Sequence, residues 1–406
     1  MHSSLLLLII LASFPAVWGT DYTVSTYAGM GAPDFADGSG DTAKFYNPAD
    51  VAVDSAGNVY VADTDNSRVR IIKPDRTVST LAGGPPGFGE EAKLYNPLGL
   101  DVGPGGTIYV ADTGNHRIKS IGPDGKVTPL AGGFEGYTEG VGTKASFRKP
   151  RDVVASGGVL YVADTGNNRI RRIDQDTVVS TLAGDSAPGY ADGQGKAARF
   201  FNPQSVALDS AGNIYVADTG NHKIRRITPD GTVTTIAGSW RGYADGPAEE
   251  AKFDNPGGLA LDSAGNIYVA DTGNHKIRRI TPDGTVTTIA GSAPIAVSLG
   301  YVDGTAEEAK FNRPSGIAVD SAGNIYVVDT GNQRVRKISP TAPPKPAMTA
   351  PPATQPRAGT SPAPPQTTTA AGSTLPPSKG ACGPTSVLLL ALLPALAFNP
   401  LRRGGR

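Results

Sequence analysis

Apolar residues in this chain fall in short runs rich in β-branched side chains, and Gly, Asn and Asp break each run. From Gly258 the sequence reads Gly-Leu-Ala-Leu-Asp, then the turn Ser263-Ala-Gly-Asn, then Ile267-Tyr-Val-Ala. A second turn, Asp271-Thr-Gly-Asn, leads into Ile277-Arg-Arg-Ile, and Pro282-Asp-Gly leads into Thr285-Val-Thr-Thr-Ile. Runs this short, bounded by turn residues, predict four antiparallel strands rather than helices. The unit recurs: its Asp falls at Asp63, Asp112, Asp164, Asp218, Asp271 and Asp329. A period of about 50 residues marks an array of supersecondary units, and four-stranded units repeated radially make a β-propeller.

The ends of the array predict how the ring closes. A fourth strand ending in Ala-Gly follows copies one to five, at Gly83, Gly132, Gly184, Gly238 and Gly291. Copy six lacks it, and Ile338 runs into a proline-rich stretch. The missing sequence stands at the other end, as Thr23-Val-Ser-Thr-Tyr-Ala-Gly29. The expected fold is therefore all-β: a six-bladed propeller of four-stranded antiparallel blades, with the N-terminal strand completing blade six. Such a clasp removes a free sheet edge.

The pattern Asn-Pro, then Gly-Asn-Ile-Tyr-Val-Ala-Asp-Thr-Gly-Asn and Arg-Ile-Arg-Arg-Ile, resembles NHL repeats over residues 22–338. The resemblance implies a six-bladed propeller and leaves the activity open, because the family includes amidating lyases, RNA-binding regulators and extracellular sensor or adhesion domains. In the lyases, histidines at the start of the inner strands supply metal ligands. Here Ala49-Asp50, Leu98-Gly99, Arg151-Asp152, Gln204-Ser205, Gly257-Gly258 and Ser315-Gly316 occupy those positions, and none is His.

These twelve residues are expected to line the mouth of the central channel. Asp50, Arg151, Asp152 and Gln204 are its candidate ligand contacts, with no metal and no cofactor expected. His116, His222 and His275 share one turn position in separate blades, too far apart to share an ion. The recurrent Asp is expected to accept from turn amides as scaffold.

Antiparallel strands place the Asp-Thr-Gly-Asn turns and the long inter-blade connections on one face. That face carries the variation between copies, and function on rigid scaffolds concentrates in such loops. A Gly-Tyr-Ala-Asp-Gly element there supplies Tyr190, Tyr243 and Tyr301 as candidate ligand contacts. The following Phe45, Phe147, Phe200, Phe253 and Phe311 are expected to wedge between blades. From the fourth-strand glycine to the next proline, the connection entering blade 2 spans 14 positions and that entering blade 6 spans 23. The longer one adds Pro294-Ile-Ala-Val-Ser-Leu, making Ile295 and Val297 further candidates for a partner site.

Charge narrows the choice of partner. The 37 basic and 37 acidic residues cancel, leaving no global field for nucleic acid or an anionic membrane. Strand three is basic in every copy, but its Arg and Lys recur round the ring instead of forming one patch, so nucleic-acid binding is not expected.

The termini suggest export and tethering. Leu5 to Ala12 is an apolar run followed by Ala16-Val-Trp-Gly, which reads as a signal peptide over residues 1–20. Residues 21–338 form the propeller and residues 339–380 a Pro/Thr/Ala-rich stalk. Residues 381–406 carry an apolar run too short to span a bilayer as a helix. Two anchors fit. One is a glycolipid-anchor signal with its small residue at Gly372. The other, at Cys382-Gly-Pro, is similar to archaeal sorting tails. The expected protein is a monomeric, cell-surface binding or adhesion module that meets a protein or glycan on the variable face, with the membrane reached through its C-terminal anchor. The alternative is an extracellular lyase or hydrolase with its site in the channel.

Overall fold

The computed structural model describes residues 22–87, 93–292 and 300–341. Its strands form six antiparallel sheets, one per repeat. Blade 4 is typical: Pro203–Leu208, Ile214–Asp218, Lys223–Ile227 and Thr232–Ala237 run from the axis outward. Tyr22–Ala28 pairs antiparallel with Arg334–Pro340, matching Tyr22 with Pro340 and Thr26 with Arg336. The N-terminal strand thus supplies the outer strand of blade 6, as expected.

Five sheets gain one strand beyond the four expected. Two residues of the incoming connection, such as Gly193–Gln194, pair with the outer strand of the blade they lead into. The glycine enters that strand at φ 148°, a backbone setting that disfavours a side chain. Blade 2 lacks the Tyr-Ala-Asp-Gly element and keeps four strands among the described residues.

The core lies between sheets, not within them. Phe200 is fully buried, with Ala163, Ile170 and Ala183 of blade 3 on one side and Val206 and Ile214 of blade 4 on the other. The wedge recurs at Phe45, Phe147, Phe253 and Phe311, all fully buried. A buried aromatic of this size stabilises by about 1.5–3 kcal/mol, so five of the six seams are anchored by one ring, and Leu94 takes the position in the seam between blades 1 and 2.

Hydrogen bonds stitch the same seams. In every blade the Thr after the recurrent Asp donates its Oγ1–H to the proline carbonyl of the next blade: Thr64 to Pro97, Thr113 to Pro150, Thr165 to Pro203, Thr219 to Pro256 and Thr272 to Pro314. Thr330 donates to Pro48 at 2.9 Å, which closes the circle.

Candidate functional site

At the axis the inner strands begin, and their first side chains narrow the channel to a void of about 40 Å³ lined by the twelve residues expected there. That is room for about three water molecules at most. Close approach of the blades forces this waist. A side chain at Gly316 would run into the Asp50 backbone, and one at Gly99 into that of Asp152. On the loop face the waist opens into a cup of about 520 Å³, and on the turn face into a space of about 190 Å³.

The axial acids act as stitches between neighbouring inner strands. Asp50 of blade 1 accepts from the Leu100 amide of blade 2 at 3.0 Å. Asp101 of blade 2 accepts from Ala155 of blade 3 at 2.8 Å, and Asp152 of blade 3 from Val206 of blade 4 at 2.9 Å. Ser205 Oγ continues the series by accepting from Leu259. Burial pushes all three carboxyls up: Asp101 to about 6, Asp152 to about 7, and Asp50 well above the usual carboxylate range, where the charge of Asp152 adds to burial. The backbone amides they accept from pull the other way. Sequence reasoning singled out Asp50 and Asp152 as ligand contacts and passed over Asp101, which sits two residues past the inspected position and has the same role.

Arg151 differs from them. Its guanidinium is half-buried at the waist and lines the cup, yet it makes no hydrogen bond or ion pair with any described residue. Burial lowers its pKa, opposed by the Asp152 charge. Gln204 stands beside it on the next blade, also half-buried, and its side-chain amide bonds no described group.

Tyr190, Tyr243 and Tyr301 are not at the channel. They lie over the third and outer strands, at the rim. Each ring covers a buried arginine: Arg225 over Tyr190 and Arg278 over Tyr243 at 5.0 Å, and Arg336 over Tyr301 at 4.9 Å. On its other side each arginine faces the wedge phenylalanine at 5.1–5.2 Å. Arg225 Nη1 donates to Asp218 at 2.7 Å, and Nη2 donates to Asp192 of the Tyr-Ala-Asp-Gly element at 2.5 Å. The recurrent Asp therefore has more partners than its own turn offers: Asp218 also accepts from the Phe201 amide and from Asn221. These buried Asp–Arg pairs were missed because the strand-three cations were weighed only as a possible footprint for nucleic acid. The legible signal was the constant spacing, Asp63 to Arg70, Asp164 to Arg171, Asp218 to Arg225, Asp271 to Arg278 and Asp329 to Arg336.

The three histidines join connections to turns. His116, His222 and His275 each accept at Nδ1, 3.0 Å from the amides of Lys149, Asn255 and Arg313. Asn168 and Gln333 accept in the same way in blades 3 and 6. Burial lowers the pKa of all three. No group of three or more His, Cys, Asp or Glu side chains is placed to hold a metal ion among the described residues.

Two exposed aromatics of the loop face were not among the sequence candidates. Trp240 is 81% and Phe134 84% exposed, at matching positions of the connections entering blades 5 and 3. Trp240 and Tyr190 flank a cleft of about 730 Å³ that also takes in His222, Lys223, Arg241 and Glu249. Ile295, Val297, Gly372 and Cys382 lie outside the described residues.

The NHL repeat family model matches at residues 45–72, 94–119, 147–173, 200–227, 253–280 and 311–338, one match per blade. NHL repeat-containing protein 2 of Bos taurus is 28% identical over 235 residues, covering 50% of this chain and 32% of that protein. Teneurin-4 of Mus musculus is 30% identical over 227 residues, 49% of this chain and 8% of its own length. The chain thus spans a third or less of these relatives. Among solved structures, a structural-genomics protein of Bacteroides thetaiotaomicron superimposes with a TM-score of 0.62 at 25% identity, over 78% of this chain and 76% of its own. An auxiliary nutrient binding protein of Bacteroides ovatus shares the fold, with a TM-score of 0.61 at 20% identity over 79% and 77% of the two chains. Six repeats, six sheets and a ring shut by the first strand agree, and the chain is an NHL-repeat protein folded as a six-bladed β-propeller.

Proposed function

We propose that this protein is an exported binding module, tethered at its C-terminal end, that presents the loop face of its propeller to a protein or glycan partner. The observation that carries the reading is the pair of exposed aromatics, Trp240 and Phe134, on the one face where the repeats diverge. Trp240 does not stand alone, because the exposed Tyr190 shares its cleft, and aromatic anchors dominate the energetics of recognition. The cleft beside Trp240 falls in the size range of ligand pockets, about 300–1,000 Å³.

The rival reading, a lyase or hydrolase in the channel, has less support. Its acid and base would come from Asp50, Asp101 and Asp152, whose carboxylates already accept from the backbone of the next blade. The space on the turn face that reaches all three is about 190 Å³, below the usual range of ligand pockets of about 300–1,000 Å³.

The test is a glycan and protein array screen of the full-length chain, repeated with Trp240→Ala and Phe134→Ala. Loss of the captured partner by either variant, with unchanged melting, is expected. Binding that survives both variants and is lost on altering the turn face, at Asn213 or Asp230, overturns the reading. For the tether, removal of residues 342–406 is expected to release the protein from cells, and retention refutes an anchor there.

A further inference from the structure

The six-fold repeat supplies its own control at the channel mouth. Position one of each inner strand carries Ala49, Leu98, Arg151, Gln204, Gly257 or Ser315, and the blades built on them superpose in pattern and pairing. Nothing in the fold requires a cation there, since five blades do without one. A guanidinium held partly out of water with no partner costs stability, and such a cost at a position free to be neutral points to a ligand.

The surroundings say which kind. The cup above the waist is lined by Arg151, Arg241, Arg313, His275 and Asp254 as its titratable groups. Arg241 is bound to Asp254 at 2.9 Å, which cancels both. His275 accepts a backbone N–H, and burial, with the Arg313 charge, lowers its pKa. Arg151 at the floor and Arg313 at the wall make no side-chain hydrogen bond or ion pair with a described group, and Asp152 reaches Arg151 only through its charge. Asp152, adjacent in sequence, is turned to the Val153 and Val206 amides instead. The other half of the floor is open, with Ala49, Gly257 and Ser315 facing the larger Leu98, Arg151 and Gln204 across the axis.

We infer that the loop-face mouth of the channel is a binding site for a small oxyanion-bearing ligand, whose carboxylate or phosphate sits on Arg151 and Gln204 while its body lies over the open arc of Ala49, Gly257 and Ser315. Arg presents a planar fork that matches either anion with two parallel hydrogen bonds, and the Gln204 amide adds a donor on the neighbouring strand. This site is separate from the rim aromatics, so it goes beyond the macromolecular reading and stands or falls without it.

The experiment is calorimetric titration and thermal melting of the full-length chain with sodium glucuronate, inorganic phosphate and, as the uncharged control, glucose. Saturable one-site binding of at least one anion, and none of glucose, is expected. Glucuronate alone would assign a carboxylate ligand, and phosphate alone a phosphate. Arg151→Gln is expected to weaken that binding about ten- to a hundredfold, the worth of a charge-assisted hydrogen bond, while melting no lower than the parent. Ala49→Leu puts into blade 1 the side chain that blade 2 already carries at Leu98. It is expected to weaken glucuronate and spare phosphate. The inference is overturned if no anion binds, if glucose binds equally, if Arg151→Gln binds like the parent, or if Arg151→Gln melts lower, which would make the arginine structural.

Discussion

Blades 2 and 4 are cut from one pattern and hold their third strands by different means. In blade 4, Arg225 lies between the Tyr190 and Phe200 rings, pairs with buried Asp218 on one side and reaches Asp192 and the Ala191 carbonyl of the incoming loop on the other. In blade 2 the position is Lys119, fully buried and paired with Asp112 at 2.8 Å, and Leu94 stands where the wedge phenylalanine would be. The Tyr-Ala-Asp-Gly element, which brings Tyr190 and Asp192 to blade 4, is absent from the sequence of that connection. An ammonium is a point charge, whereas a guanidinium can serve two partners at fixed angles. The inner Asp–cation pair is therefore part of every blade, and the outer half of the arginine serves to fasten a loop.

The largest effect tests the shared half. Arg225→Ala leaves Asp218 buried without its cation and is expected to cost about 3–5 kcal/mol, read by chemical denaturation. The swap tests the unshared half. Arg225→Lys keeps the Asp218 pair, loses the loop, and is expected to cost about 1–3 kcal/mol. Lys119→Arg is expected to destabilise as well, by about 1–3 kcal/mol through overpacking, because the larger guanidinium must fit a fully buried site already filled by the ammonium on Asp112. A stabilised Lys119→Arg protein would break the comparison.

Smaller still is Asp192→Ala. Its carboxylate is 43% exposed, so the loss is expected to be only about 0.5–1 kcal/mol. Limited proteolysis should nonetheless show faster cutting within residues 185–193, with the corresponding segment of blade 5 unchanged.

The smallest effect concerns what blades 2 and 4 have in common, the histidine joint. His116, His222 and His275 have pKa values below the unfolded value of about 6.5. The unfolded chain then binds protons first, so their contribution is present above about pH 6.5 and is lost as the pH falls towards the folded values. The raised Asp101 and Asp152 act in the opposite sense and gain stability as the pH drops below about 6 and 7. Replacing all three histidines by Asn, which blade 3 already uses at Asn168, should leave stability at neutral pH within about 0.5 kcal/mol. It should also remove the acid-side loss. Identical pH profiles for the two proteins would show that the joints do not titrate.

Repetition made the fold legible. Six copies of one turn set the sheet count, an orphan strand at Thr23 located the closure, and the residue pair after each Asn-Pro-like step marked the channel lining. The site was harder to see for two physical reasons. Both faces of a blade are covered by neighbours, so inward and outward positions on strand three do not alternate in polarity, and buried Arg225 stands next to half-buried Arg226 with nothing in the residue types to separate them. The axial acids were visible as charges, but their targets belong to the next blade, some 50 residues away in sequence. Trp240 and Phe134 were not legible because an aromatic that stands in only two of the six connections carries no period.

The pairing of Tyr22 with Pro340 has a mechanical consequence. Strand Arg334–Pro340 is flanked by Tyr22–Ala28 on one side and Ile325–Asp329 on the other. Any tension entering the propeller from beyond Thr341 pulls this strand along its own length. Two ladders of hydrogen bonds then resist in shear, all at once, and none can be peeled open singly from an edge. The same arrangement means that Tyr22–Ala28 is made about 300 residues before the strand it pairs with, and must wait for it. Until then it is an unpaired edge, and the newly made chain is most exposed to misassembly over that interval.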